Sequence, residues 1–113
     1  SYYPAQQQQI ILDKKNVVTF VKEYVDYRTG DVLSNYTAKY GDPDFSLYEP
    51  ETGDVSKINV FLKAGIGVIA RIDEGVVEQK WYFQPMTREE FMRSWGRDLY
   101  NNSRGRDSFK FSQ

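Results

Sequence analysis

The sequence predicts a small α+β domain, with a helix-loop-helix and a C-terminal helix packed on one face of an antiparallel meander of three to four strands. Apolar residues recur every three to four positions before residue 42 and again after residue 86, as on the buried side of helices. Between residues 58 and 83 they alternate with polar residues, as in half-buried strands. The length, 113 residues, fits one domain, which we place at residues 13–100.

The first segment of this domain, residues 16–27, carries two conflicting signals. The spacing of one helix face is shown by Val17, Phe20, Val21, Tyr24 and Tyr27, with Asp13 or Asn16 as the N-cap. Most of these residues are β-branched or aromatic, which favours a strand. We expect a helix, with a strand as the alternative. Residues 1–12, which include a run of glutamines, are predicted to be an N-terminal tail.

The second predicted helix has a clear end. Its apolar stripe consists of Val32, Leu33, Tyr36 and Tyr40. Gly41 directly after the stripe and Pro43 beyond it are typical of a helix C-terminus. Residues 42–57 are rich in turn formers, and the apolar residues among them, Phe45, Leu47 and Tyr48, predict a short edge strand between two turns.

The meander is predicted from three alternating runs. The first contains Ile58, Val60 and Leu62, the second Ile66, Val68, Ala70 and Ile72, and the third Val77, Trp81 and Phe83, opposite Glu78, Lys80 and Tyr82. Residues 64–65 and 73–75 supply glycine-containing turns between them. The alternation predicts that one face of the sheet is buried against helices and that the other is more solvated.

A helix start is predicted at Thr87. Thr87 and Glu90 have the spacing of a capping box, and Met86 and Phe91 that of a hydrophobic staple. The stripe of this helix would consist of Phe91, Trp95 and Leu99. Residues 101–113 are polar and predict a C-terminal tail or a last edge strand.

The composition of the chain limits the kinds of active site and metal site that it can form. The chain has no histidine and no cysteine, which removes the commonest general base, the thiolate nucleophile and the usual ligands of zinc. The net charge of −1 predicts no binding of nucleic acid, and no apolar run approaches the length of a membrane span. Close acidic pairs occur at Asp42 with Asp44 and at Asp73 with Glu74, a placement typical of turns. We therefore expect no cofactor, no metal and no enzymatic activity.

Two segments carry a resemblance to a known family. The stretch GDVLSNYTAKYGDP, from Gly30 to Pro43, and the later stretch VIARIDEGVVEQKWYF resemble the small extracytoplasmic modules of the BamE/SmpA and beta-lactamase-inhibitor-protein type. Gly30, Tyr36, Tyr40, Gly41 and Pro43 occupy matching positions, whereas Asp31 and Val32 stand where that family usually has Met-Thr. The resemblance implies a periplasmic, secreted or cell-surface bacterial module that binds protein without a cofactor, with a possible lipid anchor upstream of Ser1.

The predicted function is that of a non-enzymatic protein-binding or assembly module. The aromatic content of 16% exceeds what a core of this size needs, and exposed tyrosine and tryptophan are enriched at interfaces. The predicted binding residues are Tyr82, Lys80 and Glu78 on the sheet face away from the helices, with Tyr48 and Phe45 of the edge strand. The alternatives are a cytosolic adaptor or immunity-type protein and a histidine-free hydrolase that depends on carboxylates.

Overall fold

The computed structural model describes residues 8–12, 15, 18–48 and 55–96. Six strands in this part of the chain form one antiparallel sheet in the order β1-β2-β6-β5-β4-β3. Their bounds are Gln8–Leu12 for β1, Val18–Tyr24 for β2, Phe45–Tyr48 for β3, Ser56–Phe61 for β4, Ile66–Arg71 for β5 and Val77–Phe83 for β6. A 3-10 turn at Tyr27–Thr29 precedes helix α1, Leu33–Tyr40. Helix α2, Arg88–Phe91, continues into a π-helical turn at Met92–Gly96.

The prediction of a helix over residues 16–27 is wrong, and the alternative of a strand is confirmed for Val18–Tyr24, whereas Tyr27 begins the 3-10 turn and residues 16–17 lie outside the described residues. β2 pairs with both β1 and β6, and Phe20 at its centre is 1% exposed and 5.0 Å from the Trp81 ring. The preference of β-branched and aromatic residues for strands therefore outweighs the helical spacing in this segment. The same pairing corrects the N-terminal prediction, since Gln8–Leu12 is a strand and not a tail.

The rest of the predicted order is largely confirmed. Helix α1 ends at Tyr40 with Gly41 as its C-cap, the strand Phe45–Tyr48 lies at an edge of the described sheet, and β4, β5 and β6 form the meander. Thr87 caps α2, with both hydrogen bonds of the capping box to Glu90 present. The α+β class with an antiparallel sheet is therefore correct, but the sheet has more strands than predicted.

Helices cover both faces of the sheet, and the prediction of helices on one face is wrong. Neighbouring residues of β4, Val60 and Phe61, belong to different apolar clusters, because side chains alternate across a strand. On the α2 face, the buried cluster consists of Phe20, Phe45, Leu47, Ile58, Val60, Leu62, Ile69, Trp81, Phe83, Phe91 and Met92. On the α1 face, it consists of Phe61, Val68, Ala70 and Val77, with Leu33, Tyr36 and Tyr40 of α1 packed against it.

The two helices are short and each attaches through aromatic rings. Phe91 of α2 lies 5.4 Å from the rings of both Phe45 and Phe83, and Tyr40 of α1 lies 5.6 Å from the Phe61 ring. Within the described ranges, no helix combines the length and the apolar character needed to cross a bilayer. The Trp95 side chain, Leu99 and residues 101–113, for which a stripe and a tail or strand are predicted, lie outside the described residues.

Candidate binding cleft

A cleft of about 440 Å³, lined mainly by residues with polar side chains, opens where the end of β2 meets the start of α1. Its walls come from the end of β2, the segment from residue 25 to residue 31 that includes the 3-10 turn, the first turn of α1, and one residue of β6. The lining residues are Glu23, Tyr24, Val25, Asp26, Thr29, Gly30, Asp31, Asn35 and Lys80.

Backbone hydrogen bonds fix this segment to the sheet. The amide of Val25 donates to the Glu78 carbonyl at 3.0 Å, and the amide of Val77 donates to the Asp31 carbonyl at 3.0 Å. Two residues on, the Leu33 amide donates to the Gly75 carbonyl at 2.7 Å. The segment between β2 and α1 is thus held against β6 at both ends.

Two tyrosines, one lysine and two carboxylates form a tyrosine–lysine network at the cleft, made of Glu23, Asp31, Tyr36, Lys80 and Tyr82. The Tyr36 hydroxyl donates to Oδ2 of Asp31, and the Tyr82 hydroxyl donates to Oε1 of Glu23 at 3.3 Å. Nζ of Lys80 lies 5.8 Å from the centre of the Tyr36 ring. The register of the sheet creates this arrangement, because Glu23 pairs with Lys80 across β2 and β6.

The pKa values of three members of the network, Tyr36, Lys80 and Tyr82, are shifted by their surroundings. Burial raises the pKa of Tyr36 to about 12, and the hydrogen bond to Asp31 adds to this effect. Burial also raises the pKa of Tyr82. Burial alone would lower the pKa of Lys80, but the neighbouring hydroxyls of Tyr36 and Tyr82 outweigh it and raise that pKa. At neutral pH both tyrosines are therefore neutral and Lys80 carries its charge.

Three carboxylates line the cleft, those of Glu23, Asp26 and Asp31. Asp26 forms a salt bridge with Arg28, with an oxygen–nitrogen distance of 2.5 Å. The side-chain and backbone hydrogen bonds from Arg28 lower the pKa of Asp26 to about 2, so this pair is neutral as a whole. Glu23, Asp31 and Lys80 line the same cleft, and Asp31 accepts hydrogen bonds from two neutral groups, the Tyr36 hydroxyl and the Asn35 side-chain amide.

The structure separates the five residues predicted to bind a partner. Tyr82 and Lys80 belong to the tyrosine–lysine network. Glu78 is not among the residues that line the cleft. Its side chain accepts a hydrogen bond of 2.7 Å from the hydroxyl of the buried residue Ser56. Tyr48 is half-buried, with Nζ of Lys57 at 4.8 Å from its ring. Phe45 is 6% exposed, and its place in the core contradicts the prediction that it contacts a partner. It is buried because it packs against Phe91.

Sequence reasoning missed the acidic half of the cleft. Glu23, Asp26 and Asp31 were not singled out, although all three line it. A correct prediction of the strand over residues 18–24 would have pointed to this part of the cleft, because the strand places Glu23 opposite Lys80 in the sheet. The helix prediction puts Glu23 on a solvated helix surface instead.

The two acidic pairs identified in the sequence, Asp42 with Asp44 and Asp73 with Glu74, lie in turns or loops of the structure. Asp42 and Asp44 are exposed, and Oδ2 of Asp44 accepts a hydrogen bond of 2.7 Å from the Leu62 amide. Asp73 lies in the exposed β5–β6 turn, with an oxygen 3.4 Å from a nitrogen of Arg71. Among the described residues, no group of three or more acidic, histidine or cysteine side chains has the geometry of a metal site.

Comparison of the chain with models of known families, with curated proteins and with solved structures gives no match. The resemblance to the BamE/SmpA and beta-lactamase-inhibitor-protein type therefore stays a prediction, based on its two short segments.

Proposed function

We propose that this domain is a non-enzymatic protein-binding module that docks through the cleft between β2 and α1. The observation that supports this proposal is the tyrosine–lysine network. It holds Lys80 and two carboxylates at fixed positions in the open cleft. Preorganised polar groups favour binding because a partner does not need to order them. The sheet face first expected to serve as the binding surface is partly covered by α1.

The protonation states favour binding over acid–base catalysis. A general acid or base works best when its pKa lies near the operating pH. The pKa of Tyr36, about 12, and the raised pKa of Lys80 both move away from neutrality. These two side chains are therefore suited to donating hydrogen bonds and presenting charge, which supports a recognition role.

The chemistry of the cleft favours a partner segment with a lysine or arginine side chain. The carboxylate of Asp31, whose donors in the described structure are the neutral Tyr36 hydroxyl and Asn35 amide, complements a cation. Arginine suits this position especially, since its guanidinium forms paired hydrogen bonds with a carboxylate.

Selection from a random peptide library displayed on phage tests this proposal. The bait is the domain, and the counter-selection uses the double variant Glu23→Gln with Asp31→Asn, which keeps the acceptor oxygens for the tyrosines but removes both charges. The matched control is Glu89→Gln, which removes an exposed carboxylate on α2. Thermal unfolding of all three proteins checks that the fold is retained.

The expected result is enrichment of peptides with lysine or arginine that bind the Glu89→Gln control as well as the unchanged domain. The double variant should bind them about tenfold more weakly or worse, since hydrogen bonds to charged groups contribute ~1.5–3 kcal/mol. Amide shifts in nuclear magnetic resonance spectra should map the peptide to residues 23–31 and 80. Selected peptides that bind both variants equally, or no enrichment at all, would refute the cleft as a docking site.

On the basis of the sequence resemblance, we also propose that the domain works outside the cytoplasm as part of a bacterial secreted protein or lipoprotein. Cell fractionation of the full gene product distinguishes this location from that of a cytosolic adaptor. Recovery in the cytosolic fraction would contradict it.

A further inference from the structure

We propose that β1 is a self-association edge, through which two copies of the chain pair their β1 strands antiparallel around a two-fold axis near Ile10. The two sheets would then join into one. This inference is independent of the cleft, because it concerns the opposite border of β2 and needs no bound peptide.

The first support is the position and exposure of β1. It is the outermost strand at one end of the sheet, and its register places Ile10 beside Val21. Ile10 is 55% exposed and Leu12 is 50% exposed, which are large values for apolar side chains within a strand. Within the described part of the chain, β2 is the one strand that pairs with β1, and an edge strand of this kind is a template for pairing with another strand.

The second support is a contrast with the other edge strand. β3 is four residues long, its apolar residues Phe45 and Leu47 are buried, and the sequence places a proline two residues before and two residues after it. Short length and flanking prolines are common ways to block pairing at an edge. The sequence of β1, QQIIL, contains no charge and no proline, although 27% of the chain is charged.

A second copy of β1 fits this edge because the strand is complementary to itself. Antiparallel pairing around Ile10 places that residue opposite its own copy on the same face, with Cβ atoms about 4.5–5.5 Å apart. The uncharged strand meets its copy without like-charge repulsion, and two exposed isoleucines become buried together. A strand that recognised a different protein by charge would need charged residues, which QQIIL lacks.

The contact predicts a weak dimer. Five residues extend about 17 Å along the edge, so the interface is small beside the ~1,600 Å² of a typical stable complex. Dimerisation should therefore depend on concentration over the micromolar to millimolar range.

Sedimentation velocity of the whole chain, from about 10 µM to about 1 mM, tests the proposal. Ile10→Lys places two ammonium groups face to face across the two-fold axis, and the high exposure of Ile10 makes the variant tolerable to the fold. Ile72→Lys is the matched control, since Ile72 is 49% exposed and follows β5, away from β1. Circular dichroism verifies that both variants are folded.

The expected result is a monomer–dimer equilibrium for the unchanged chain and for Ile72→Lys. In Ile10→Lys the dimer dissociation constant should rise about tenfold or more. A chain that stays monomeric up to the highest concentration, or a dimer that Ile10→Lys leaves intact, would overturn the proposal. Equal weakening by both variants would overturn it as well, because it would indicate a general effect of added charge.

Discussion

Gly65 is the last residue of the turn between β4 and β5. It lies so close to β6 that no side chain fits at this position. A Cβ atom at this position would lie 2.1 Å from the Phe83 carbonyl oxygen. The same two residues are joined by a hydrogen bond of 2.9 Å, from the Phe83 amide to the Gly65 carbonyl. Gly65→Ala must therefore push β6 away at a point where the turn is tied to it.

The expected loss has two contributions. The φ angle of Gly65 is 68°, and an L-residue in this left-handed conformation costs ~1–2 kcal/mol. Relief of the contact with Phe83 by a backbone shift adds ~1–3 kcal/mol, as in overpacked cores. The total of ~2–5 kcal/mol is a large part of the ~5–15 kcal/mol that stabilises a typical domain.

Gly30→Ala separates the two contributions. Gly30 has a φ of 76°, but a Cβ atom there would have no neighbour within 4 Å. Urea unfolding followed by tryptophan fluorescence should show a loss of ~1–2 kcal/mol for Gly30→Ala, and a loss ~1–3 kcal/mol larger for Gly65→Ala. Equal losses in the two variants would refute the inferred close approach between the turn and β6.

Two further predictions concern the core and the tyrosine–lysine network. Phe91→Ala should lower the free energy of unfolding by ~3–5 kcal/mol, because Phe91 is fully buried between the rings of Phe45 and Phe83. Tyr27→Ala, at a residue that is 64% exposed, should change it by less than ~0.5 kcal/mol in the same urea experiment, and a similar loss in both variants would contradict the packing of α2. Because folding raises the pKa of Tyr36 from 10.0 to about 12, its contribution to stability is complete below pH 10 and is lost as the pH rises through 12. Tyr36→Phe should therefore remove one late-titrating tyrosine from the ultraviolet absorbance titration, and an unchanged curve between pH 11 and 12 would contradict the network.

Local patterns were enough to predict the central part of the fold. The alternation in residues 58–83 and the glycine-containing turns are strictly local, and β4, β5 and β6 follow them. The capping box at Thr87 and Glu90 is equally local and is present. These elements are predictable because propensity, spacing and turn chemistry agree in each of them.

The placement of helices on the sheet was not predictable in the same way. β4 and β5 are apolar on both faces, as in Val60 and Phe61 or Val68 and Ile69, which is the pattern of a sheet covered on each side. The expectation of one buried face treated each alternating run separately. Which helix covers which face is set by contacts between distant segments, such as Phe45 with Phe91, that a single sequence does not display.

β2 links the two surfaces proposed for binding, and its register against β6 decides both. In this register Phe20 pairs with Phe83, and the Phe20 side chain lies in the core. Glu23 pairs with Lys80, and the Glu23 side chain lines the cleft. A slip of one residue would turn Phe20 to the α1 face and move Glu23 away from Lys80, because side chains alternate across the strand. The burial of Phe20 therefore fixes the register that assembles the acidic cleft, and through the pairing of β2 with β1 it also fixes which face displays Ile10.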